Sequence, residues 1–359
     1  MLQSRGFPDS DYPSGWFQIA WSAEIAPGGV KPLRYFGRDL VLYRGESGEA
    51  RLFDAFCPHL GAHLGYGGRV EGEDIVCPFH GWRWDCQGCN VDIPYSERTN
   101  RSRRLRTWPL HEADGLLLMW YDRNGAEPTW FPPAIPEAAT GGYFEPYEAG
   151  THRVWTNVAL HPQWVAENAV DPAHQQFIHG AAQPGKILFF DADGPIFRAR
   201  QELVFGVGKP STWLTPGGSV TAYLDEEVMG VGLGIARFTG TDDAAHVQST
   251  IPVDEEHCDI RVTVFVPRDR SGDEDRPDGA AMKRLAFQFR QLENDLVIWE
   301  HMEYQRHAGL AREEAKAYGA FRRWCEQFYP EALPAAASVP AQAGDDELEV
   351  PGAAEVTLS

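Results

Sequence analysis

Short runs of apolar and β-branched residues, separated by turn residues, fill the first third of the chain. Gly, Pro or Asp bounds each run, which is the pattern of short β-strands. The predicted strands cover residues 17–21, 33–37, 39–45, 50–56, 74–79 and 115–122. Several strands at such close intervals predict a small all-β domain over residues 16–122.

The pattern changes after a Pro- and Gly-rich connector at residues 123–150. Residues 161–180 predict a helix, which Pro172 must kink or divide because proline lacks the helical N–H donor. Further strands are predicted at 197–205, 220–226, 246–252 and 260–266, and helices at 282–306 and 312–328. Strands followed by long helices predict an α+β domain at residues 151–330, with a helix across an antiparallel sheet. The Ala-, Pro- and acid-rich residues 334–359 predict a disordered tail.

Charge and cysteine content narrow the functional classes. Lys and Arg number 32 and Asp and Glu 52, which gives a net charge of −20. Such a surface disfavours nucleic acid and anionic membranes, and it suits a partner with a basic docking patch. No apolar stretch reaches the roughly 18 residues of a membrane span, and the N-terminus has no secretory signal pattern. We therefore expect a cytoplasmic protein whose six cysteines are metal ligands or free thiols.

Two short loops each contain one cysteine and one histidine. "CPHLGAHL" supplies Cys57 and His59, and "CPFHGW" supplies Cys77 and His80. Two thiolates and two imidazoles can hold one zinc ion, or a [2Fe–2S] cluster with the cysteines on one iron and the histidines on the other. Zinc fingers commonly pair like ligands, whereas each loop here supplies one ligand of each kind. The pattern therefore favours a cluster, and its imidazoles raise the reduction potential so that it can accept electrons from a low-potential donor.

A second pair of histidines, His174 and His179, follows in "ENAVDPAHQQFIH". Non-haem Fe(II) oxygenases bind iron through two histidines and one carboxylate, which leaves positions free for O2 and substrate. Alone, this histidine spacing is a weak signal, since core or surface histidines can also show it. Asp295 is the candidate carboxylate, because the apolar side of its helix would face the core and a buried carboxylate needs compensation. Glu293 is the alternative ligand.

Together these motifs carry a resemblance to a known family. "CPHLGAHL…CPFHGWRW" resembles the Rieske [2Fe–2S] signature, and residues 16–122 resemble the Rieske domain of the ring-hydroxylating oxygenases. "DPAHQQFIH" resembles the family's D-x-x-H-x4-H segment, and "ENDLVIW" its acidic-ligand stretch. The resemblance extends over residues 15–329. It implies a Rieske domain followed by a helix-grip, START-like catalytic domain that holds mononuclear Fe(II).

The resemblance also implies how the two centres communicate. In the family, the aspartate at the place of Asp171 joins a Rieske histidine of one subunit to an iron histidine of its neighbour. Carried over, Asp171 would bridge His80 of an adjacent chain to His174, with Asn168 near the iron ligands. A carboxylate that accepts an imidazole N–H fixes the ring and tunes the metal. A head-to-tail contact that closes gives a ring, here a homotrimer.

Finer resemblance points to one branch of this family. The Cys/His loops, the following "DIPYS" and "LENDLVIWEHM" resemble the oxygenase component of 3-ketosteroid 9α-hydroxylase and the sterol 7-desaturases. The implied activity is monooxygenation of a hydrophobic polycyclic substrate with O2 and with NAD(P)H electrons delivered by a ferredoxin or flavin reductase component. Desaturation, O- or N-demethylation and aromatic ring hydroxylation are alternatives within the enzyme class. An electron carrier or a lipid-binding protein without oxygenase activity is the alternative of another class.

Three further residues near the first motif could also bind metal. His63 does not match the spacing of the signature, so we expect it to serve in packing or to contact a ligand residue. Cys86 and Cys89 form a C-x-x-C pair without a matching second pair. We therefore expect both to be free thiols.

Overall fold

The computed structural model describes residues 12–329, except 140, 149, 241–242 and 274–275, so that the predicted tail at 334–359 lies outside the described residues. The described strands form four antiparallel sheets. Three lie in the N-terminal part of the chain, and the fourth lies with the long helices in the C-terminal part. This is the predicted α+β architecture. Within the described ranges, no helix has the length and apolarity needed to cross a membrane.

The described residues of the N-terminal part form eleven strands. They are β1 (Gly15–Trp21), β2 (Val30–Tyr35), β3 (Arg38–Arg44), β4 (Ala50–Asp54), β5 (Arg69–Glu71), β6 (Asp74–Val76), β7 (Arg83–Trp84), β8 (Asn90–Asp92), β9 (Thr107–Trp108), β10 (Leu110–Ala113) and β11 (Leu116–Tyr121). The sheet orders are β1-β11-β10, β2-β3-β4-β9 and β5-β6-β7-β8. The strand predicted at 33–37 ends at Tyr35, because Phe36 and Gly37 have positive φ angles of 53° and 66°. Positive φ at both central residues is typical of a two-residue hairpin turn.

Among its described residues, the C-terminal part contains one large sheet and five α-helices. Its elements are α1 (Pro136–Ala139), β12 (His152–Val158), α2 (Pro162–Glu167), α3 (His174–Phe177), β13 (Lys186–Asp193), β14 (Ile196–Phe205), β15 (Val220–Met229), β16 (Leu233–Thr239), β17 (Ala244–Pro252), β18 (Cys258–Phe265), α4 (Gly279–Trp299) and α5 (Arg312–Cys325). The sheet order is β12-β18-β17-β16-β15-β14-β13. The four predicted strands correspond to β14, β15, β17 and β18.

Helix α4 lies across this sheet. Its buried apolar residues recur every three or four positions and pack with β18 in one core: Ala281, Leu285, Phe289, Leu292, Leu296 and Trp299 with Ile260, Val262 and Val264. This spacing is the apolar stripe of an amphipathic helix. The helix ends at Trp299, so the predicted end at residue 306 is wrong. Met302 and Tyr304 pack into the same core, and we infer that burying them takes precedence over continuing the helix.

Strands β1 and β11 connect the two parts of the molecule. Every residue of both strands is buried. Phe17 and Met119 pack with Leu40 of the N-terminal part, whereas Trp16 and Leu118 pack in the core that contains Val247 of the large sheet. Because side chains alternate across a strand, one sheet contributes to two cores, and this explains why these strands are apolar at nearly every position.

Candidate active site

The loops that contain the first motif fold in the same way. In each loop the cysteine carbonyl accepts a bond from a glycine four residues later, at 2.9 Å from Gly61 to Cys57 and 3.1 Å from Gly81 to Cys77. Both glycines have positive φ, at 78° and 71°, which glycine adopts at little cost. The cysteine N–H groups donate to the carbonyls of Ala62 and Trp82, both at 2.9 Å. The repeated Cys, His and Gly positions therefore give two similar loops.

These loops bring the four predicted ligands together. The buried Cys57 and Cys77 thiols form a hydrogen bond, which raises the pKa of Cys57 and lowers the pKa of Cys77. The rings of His59 and His80 are 4.6 Å apart, and His59 stacks on Trp82 at 4.3 Å. The Nδ1 atoms of both histidines are buried and have no hydrogen-bond partner in the described part of the chain. Such orphaned nitrogens are costly, and the set of two sulfurs and two imidazoles fits a [2Fe–2S] cluster.

His63 and the C-x-x-C pair have other surroundings. His63 Nδ1 accepts a hydrogen bond from the Gly65 N–H at 3.0 Å, and its ring packs against Tyr66 at 4.7 Å. The predicted packing role is thus consistent with its contacts. No disulfide joins Cys86 to Cys89, and the two residues lie in a turn that the Asp85 carboxylate stabilises by accepting the Cys89 N–H at 2.8 Å.

The second motif lies where the predicted helix over 161–180 is broken. Helix α2 ends at Glu167, a 3-10 turn follows at Asn168–Val170, and α3 begins only at His174. The predicted break at Pro172 is therefore confirmed. It allows His174, at the start of α3, and His179, just after its end, to turn toward each other, with ring centroids 5.0 Å apart.

Helix α4 supplies a carboxylate to this pair. Asp295 is 8% exposed, and its Oδ1 lies 3.1 Å from Nε2 of His179. One ligand atom from each of His174, His179 and Asp295 lies within 4.8 Å of the other two. The alternative ligand, Glu293, instead forms an exposed ion pair with Arg153. Two imidazoles and one carboxylate are the donor set of a mononuclear non-haem iron site, and the buried His179 Nδ1 has no partner among the described residues.

Asp171 contacts His174 through both its backbone and its side chain. The His174 Nδ1 donates to the Asp171 carbonyl oxygen at 2.5 Å, and the carboxylate Oδ2 is 3.6 Å away. The other carboxylate oxygen accepts the Ala173 N–H at 3.1 Å. Burial favours the neutral acid, but the hydrogen bond and charge of His174, with a hydrogen bond from Tyr318, lower the pKa of Asp171. Asp171 therefore both fixes the loop and orients an imidazole.

A cavity of about 400 Å³ opens beside this trio, within the range of small-molecule sites. The inner face of the large sheet and one face of α4 line it, with Asn168, His174, His179 and Asp295 at one wall. Leu224, Val228, Ile235 and Phe238 are among its apolar lining residues. A metal held by the trio would face a mainly apolar space.

Glu226 is a lining residue that the sequence predictions missed. Its carboxylate accepts a hydrogen bond at 3.0 Å from the Gln201 amide, which also donates to the carbonyls of Asn168 and Ala169. Burial raises the pKa of Glu226 to about 7, and the charges of Asp171 and Asp295 also raise it. The period of two along β15 places Glu226 on the same face as Leu224 and Val228. An acid within that apolar alternation is a signal that the sequence contained.

Family models match both parts of the chain. Residues 15–109 match the Rieske [2Fe–2S] domain family, and residues 119–329 match the 3-ketosteroid 9α-hydroxylase C-terminal domain family. The chain is 31% identical over 346 residues to cholesterol 7-desaturase nvd of Hemicentrotus pulcherrimus. This alignment covers 90% of this chain and 71% of that protein. It is 28% identical over 333 residues to a probable 3-ketosteroid-9-alpha-monooxygenase oxygenase component of Rhodococcus rhodochrous, over 90% of this chain and 82% of that protein.

The fold is also similar to that of solved structures. The crystal structure of dicamba monooxygenase bound to dicamba superposes with a TM-score of 0.67 at 19% identity, over 88% of this chain and 97% of that one. This likeness bears on the fold alone, whereas the two family matches cover the cluster loops and the second trio. The protein is a Rieske-type non-haem iron oxygenase, and it belongs to the branch defined by the 3-ketosteroid 9α-hydroxylase C-terminal domain.

Proposed function

We propose that Cys57, His59, Cys77 and His80 hold the [2Fe–2S] cluster, and that His174, His179 and Asp295 hold Fe(II). When bound, the cluster supplies electrons from an NAD(P)H-dependent reductase, and the iron supplies activation of O2. The proposal rests chiefly on one observation, the convergence of two imidazoles and a buried carboxylate within 4.8 Å at the wall of an apolar cavity. The chain itself positions the substrate and limits the access of water to the site.

Asp171 is the proposed contact between subunits of a homotrimer. Its carboxylate is 25% exposed, so it can accept a hydrogen bond from His80 of an adjacent subunit while the His174 ring stays fixed. Large exposed apolar side chains lie in both of the segments that would take part in this contact. Phe56, Leu60, Tyr66 and Phe79 lie in or beside the cluster loops, and Phe177 lies near Asp171. Burying such side chains favours association.

The proposed reaction is hydroxylation of a C–H bond in a hydrophobic polycyclic compound, a 3-ketosteroid or a related steroid. The cavity volume and its apolar walls support a rigid apolar substrate. The cavity orients the substrate so that the carbon nearest the trio is attacked. The relatives named as 3-ketosteroid monooxygenase oxygenase components support the substrate class. A cytoplasmic place in steroid breakdown, with a ferredoxin or flavin reductase as partner, fits this reaction.

Sterol desaturation is the second candidate, because cholesterol 7-desaturases are also among the relatives, at 31% identity. The same site would then remove two hydrogens instead of inserting oxygen. O- or N-demethylation and aromatic ring hydroxylation use the same class of site.

Turnover with a surrogate reductase, NADH, O2 and a panel of 3-ketosteroids and sterols tests the proposal, with products read by mass spectrometry. A product heavier by one oxygen supports the hydroxylase, and loss of two hydrogens supports the desaturase. Asp295→Ala should abolish either product, whereas Glu293→Ala on the same helix should not. An electron carrier or lipid-binding protein would contain about two irons per chain instead of three and would give no product.

A further inference from the structure

One short stretch of the N-terminal part is opposite in charge to the chain as a whole. Residues 98–106, "RTNRSRRLR", contain five arginines and no acid, whereas the chain has a net charge of −20. The exposed acids Asp92 and Glu97 precede this stretch, and a positive excess remains when both are counted. We call residues 98–106 the arginine segment.

The arginine segment is attached to the part of the protein that contains the cluster loops. The Asn100 N–H donates to the side-chain oxygen of Asn90 at 2.8 Å, which joins the segment to β8. Leu105 is 2% exposed and packs in the core that also contains Cys57 and Cys77. The arginines therefore stand on a surface that is fixed relative to the proposed cluster ligands.

Three of these arginines have charges that the protein itself does not neutralise. Arg98, Arg101 and Arg103 are exposed, and their side chains form no hydrogen bond or ion pair with another described residue. Arg104 instead donates to a backbone carbonyl, and Arg106 stacks on an indole ring. Guanidinium groups bind carboxylates through two parallel hydrogen bonds. This surface therefore suits a partner that is rich in Asp and Glu.

A series of aromatic contacts leads from this surface to a proposed cluster ligand. Tyr95, three residues before Arg98, is exposed. Its hydroxyl accepts the Trp82 Nε1–H at 2.8 Å. The Trp82 ring in turn stacks on the ring of His59 at 4.3 Å. An electron donor bound at the arginine segment would thus lie beside a short route to the cluster.

The two proposed histidine ligands have different neighbours. His59 contacts Trp82 on the route from Tyr95, whereas the ring of His80 lies 3.8 Å from that of Phe79. Phe79 is exposed and belongs to the proposed contact between subunits. These contacts suit electrons that arrive on the His59 side and leave through His80.

We propose that the arginine segment is the docking surface for an acidic electron-donor protein, which reduces the cluster by way of Tyr95 and Trp82. The inference rests on the proposed function, since it assumes that the cluster loops hold the [2Fe–2S] cluster. The donor loses one electron and the cluster gains one, and no covalent bond changes. The contacts from the segment to His59 favour a redox protein over nucleic acid.

Screening by salt explains how an acidic donor can dock on an acidic protein. At physiological salt, exposed charges interact over only about 8 Å, so the arginines nearest to the donor outweigh distant carboxylates. The net charge alone suits a partner with a basic patch, whereas the arginine segment requires an acidic one. Attraction between opposite surface charges raises association rates by about 10- to 1,000-fold.

Stopped-flow reduction of the full-length, cluster-loaded protein tests the proposal. The donor is a reduced plant-type [2Fe–2S] ferredoxin, an acidic protein whose reduction potential lies below that of Rieske clusters. We expect the second-order rate constant to fall as salt increases, because salt screens the arginines. If the net charge of the chain dominated, the two acidic proteins would repel each other. The rate constant would then rise with salt, and the proposal would be overturned.

A combined variant tests the segment itself. Arg98→Gln with Arg101→Gln and Arg103→Gln should lower the rate constant with ferredoxin by about tenfold or more at low salt. Lysine at the same three positions should keep most of the rate, because it keeps the charge. Reduced methyl viologen, a small cation, should reduce the Gln variant no more slowly than the natural protein. This second reductant separates lost docking from a damaged cluster.

The matched control changes three exposed arginines of the C-terminal part to glutamine, at Arg290, Arg306 and Arg312. It alters the net charge equally and should leave the rate constant within about twofold. An equal fall in both combined variants would show that the net charge, not a docking surface, sets the rate.

The remaining outcomes separate this inference from the proposed function. If the natural protein shows no cluster spectrum, both fail. With the cluster present, an unchanged rate in the Gln variant, or reduction by methyl viologen but not by ferredoxin, overturns the inference alone. Loss of the oligomer in the Gln variant by size-exclusion chromatography would assign the segment to a second copy of the chain. Loss of binding to a DNA duplex at an unchanged rate would assign it to nucleic acid. If the Gln variant loses its cluster, the salt dependence of the natural protein decides.

Discussion

The two candidate metal centres are assembled in different ways. Cys57, His59, Cys77 and His80 lie in two loops that follow closely along the chain, and each loop is closed by its own backbone hydrogen bonds. The other trio joins residues 174 and 179, on a broken helix, to residue 295 on α4. The first centre is built from local geometry and the second from the packing of distant elements. Loss of tertiary packing should therefore affect the second centre more directly.

The sharpest way to test this difference is to remove one ligand from each centre. Cys77→Ser should lower the iron content from about three to about one per chain, and Asp295→Ala should lower it to about two while the visible spectrum of the cluster remains. Each variant should lose product formation by more than about a hundredfold, since even residues beside metal ligands contribute 10- to 100-fold. Iron analysis and absorption spectra measure both effects. Loss of the cluster in Asp295→Ala would contradict the independence of the two centres.

Asp171 is the residue proposed to link the two centres. Asp171→Asn keeps an oxygen that can accept the Ala173 N–H, but it removes the negative charge beside His174. We expect turnover to fall by about 10- to 100-fold, with iron content and the rate of cluster reduction unchanged. Stopped-flow reoxidation of the reduced cluster measures the effect.

The control for this prediction is Asp191→Asn, which changes an exposed aspartate on β13. It should leave turnover and reoxidation unchanged. Normal reoxidation in Asp171→Asn would argue that the carboxylate serves only the loop.

A histidine that can change its charge with pH caps the helix that leads to the trio, whereas backbone hydrogen bonds close the cluster loops. His161 precedes α2 and accepts the Gln163 N–H through Nδ1 at 3.2 Å, and burial lowers the pKa of His161 to about 3. The unfolded chain binds this proton with a pKa near 6.5, so the stabilisation is present above about pH 6.5 and is lost as the pH falls toward the folded pKa. The free energy of unfolding of the protein should therefore fall between pH 7 and pH 5. This fall should be about 1 to 2 kcal/mol larger than that of the His161→Asn variant, which retains a capping oxygen but does not titrate in this range.

Denaturant unfolding at a series of pH values measures this difference, with His307→Asn at an exposed position as the control. A parallel loss of stability in the protein and in His161→Asn would show that His161 does not titrate as described.

The smallest expected effect concerns the rival ligand of the second centre. Glu293→Gln removes an exposed ion pair with Arg153, and exposed pairs contribute at most about 1 kcal/mol. The free energy of unfolding should therefore change by less than about 1 kcal/mol, and the iron content should stay at that of the unchanged protein. Loss of one iron per chain would instead assign the ligand role to Glu293.

The difference between a locally built centre and one built by packing also explains how much of the fold and of the site could be predicted from the sequence. The first motif is contiguous, so its residues alone indicated a cluster. The paired histidines became a strong signal only through the resemblance, because nothing local relates residue 174 to residue 295.

The large sheet was predicted through four of its seven strands. Glu226 was missed because an acid within an apolar strand reveals its role only when the opposite wall of the cavity is known. The end of α4 was placed too late because the burial of Met302 and Tyr304 overrides local helical preference.

The doubly buried β1–β11 pair has a consequence for how the protein can be divided. Each strand contributes alternate side chains to cores on both of its sides. A cut near residue 122 would leave Trp16, Leu118 and Trp120 uncovered on the N-terminal fragment and would strip the large sheet of their packing. We therefore expect the N-terminal and C-terminal parts to unfold as one cooperative unit. Chimaeras that exchange the catalytic half between relatives would need to carry this strand pair, or its matching face, along with it.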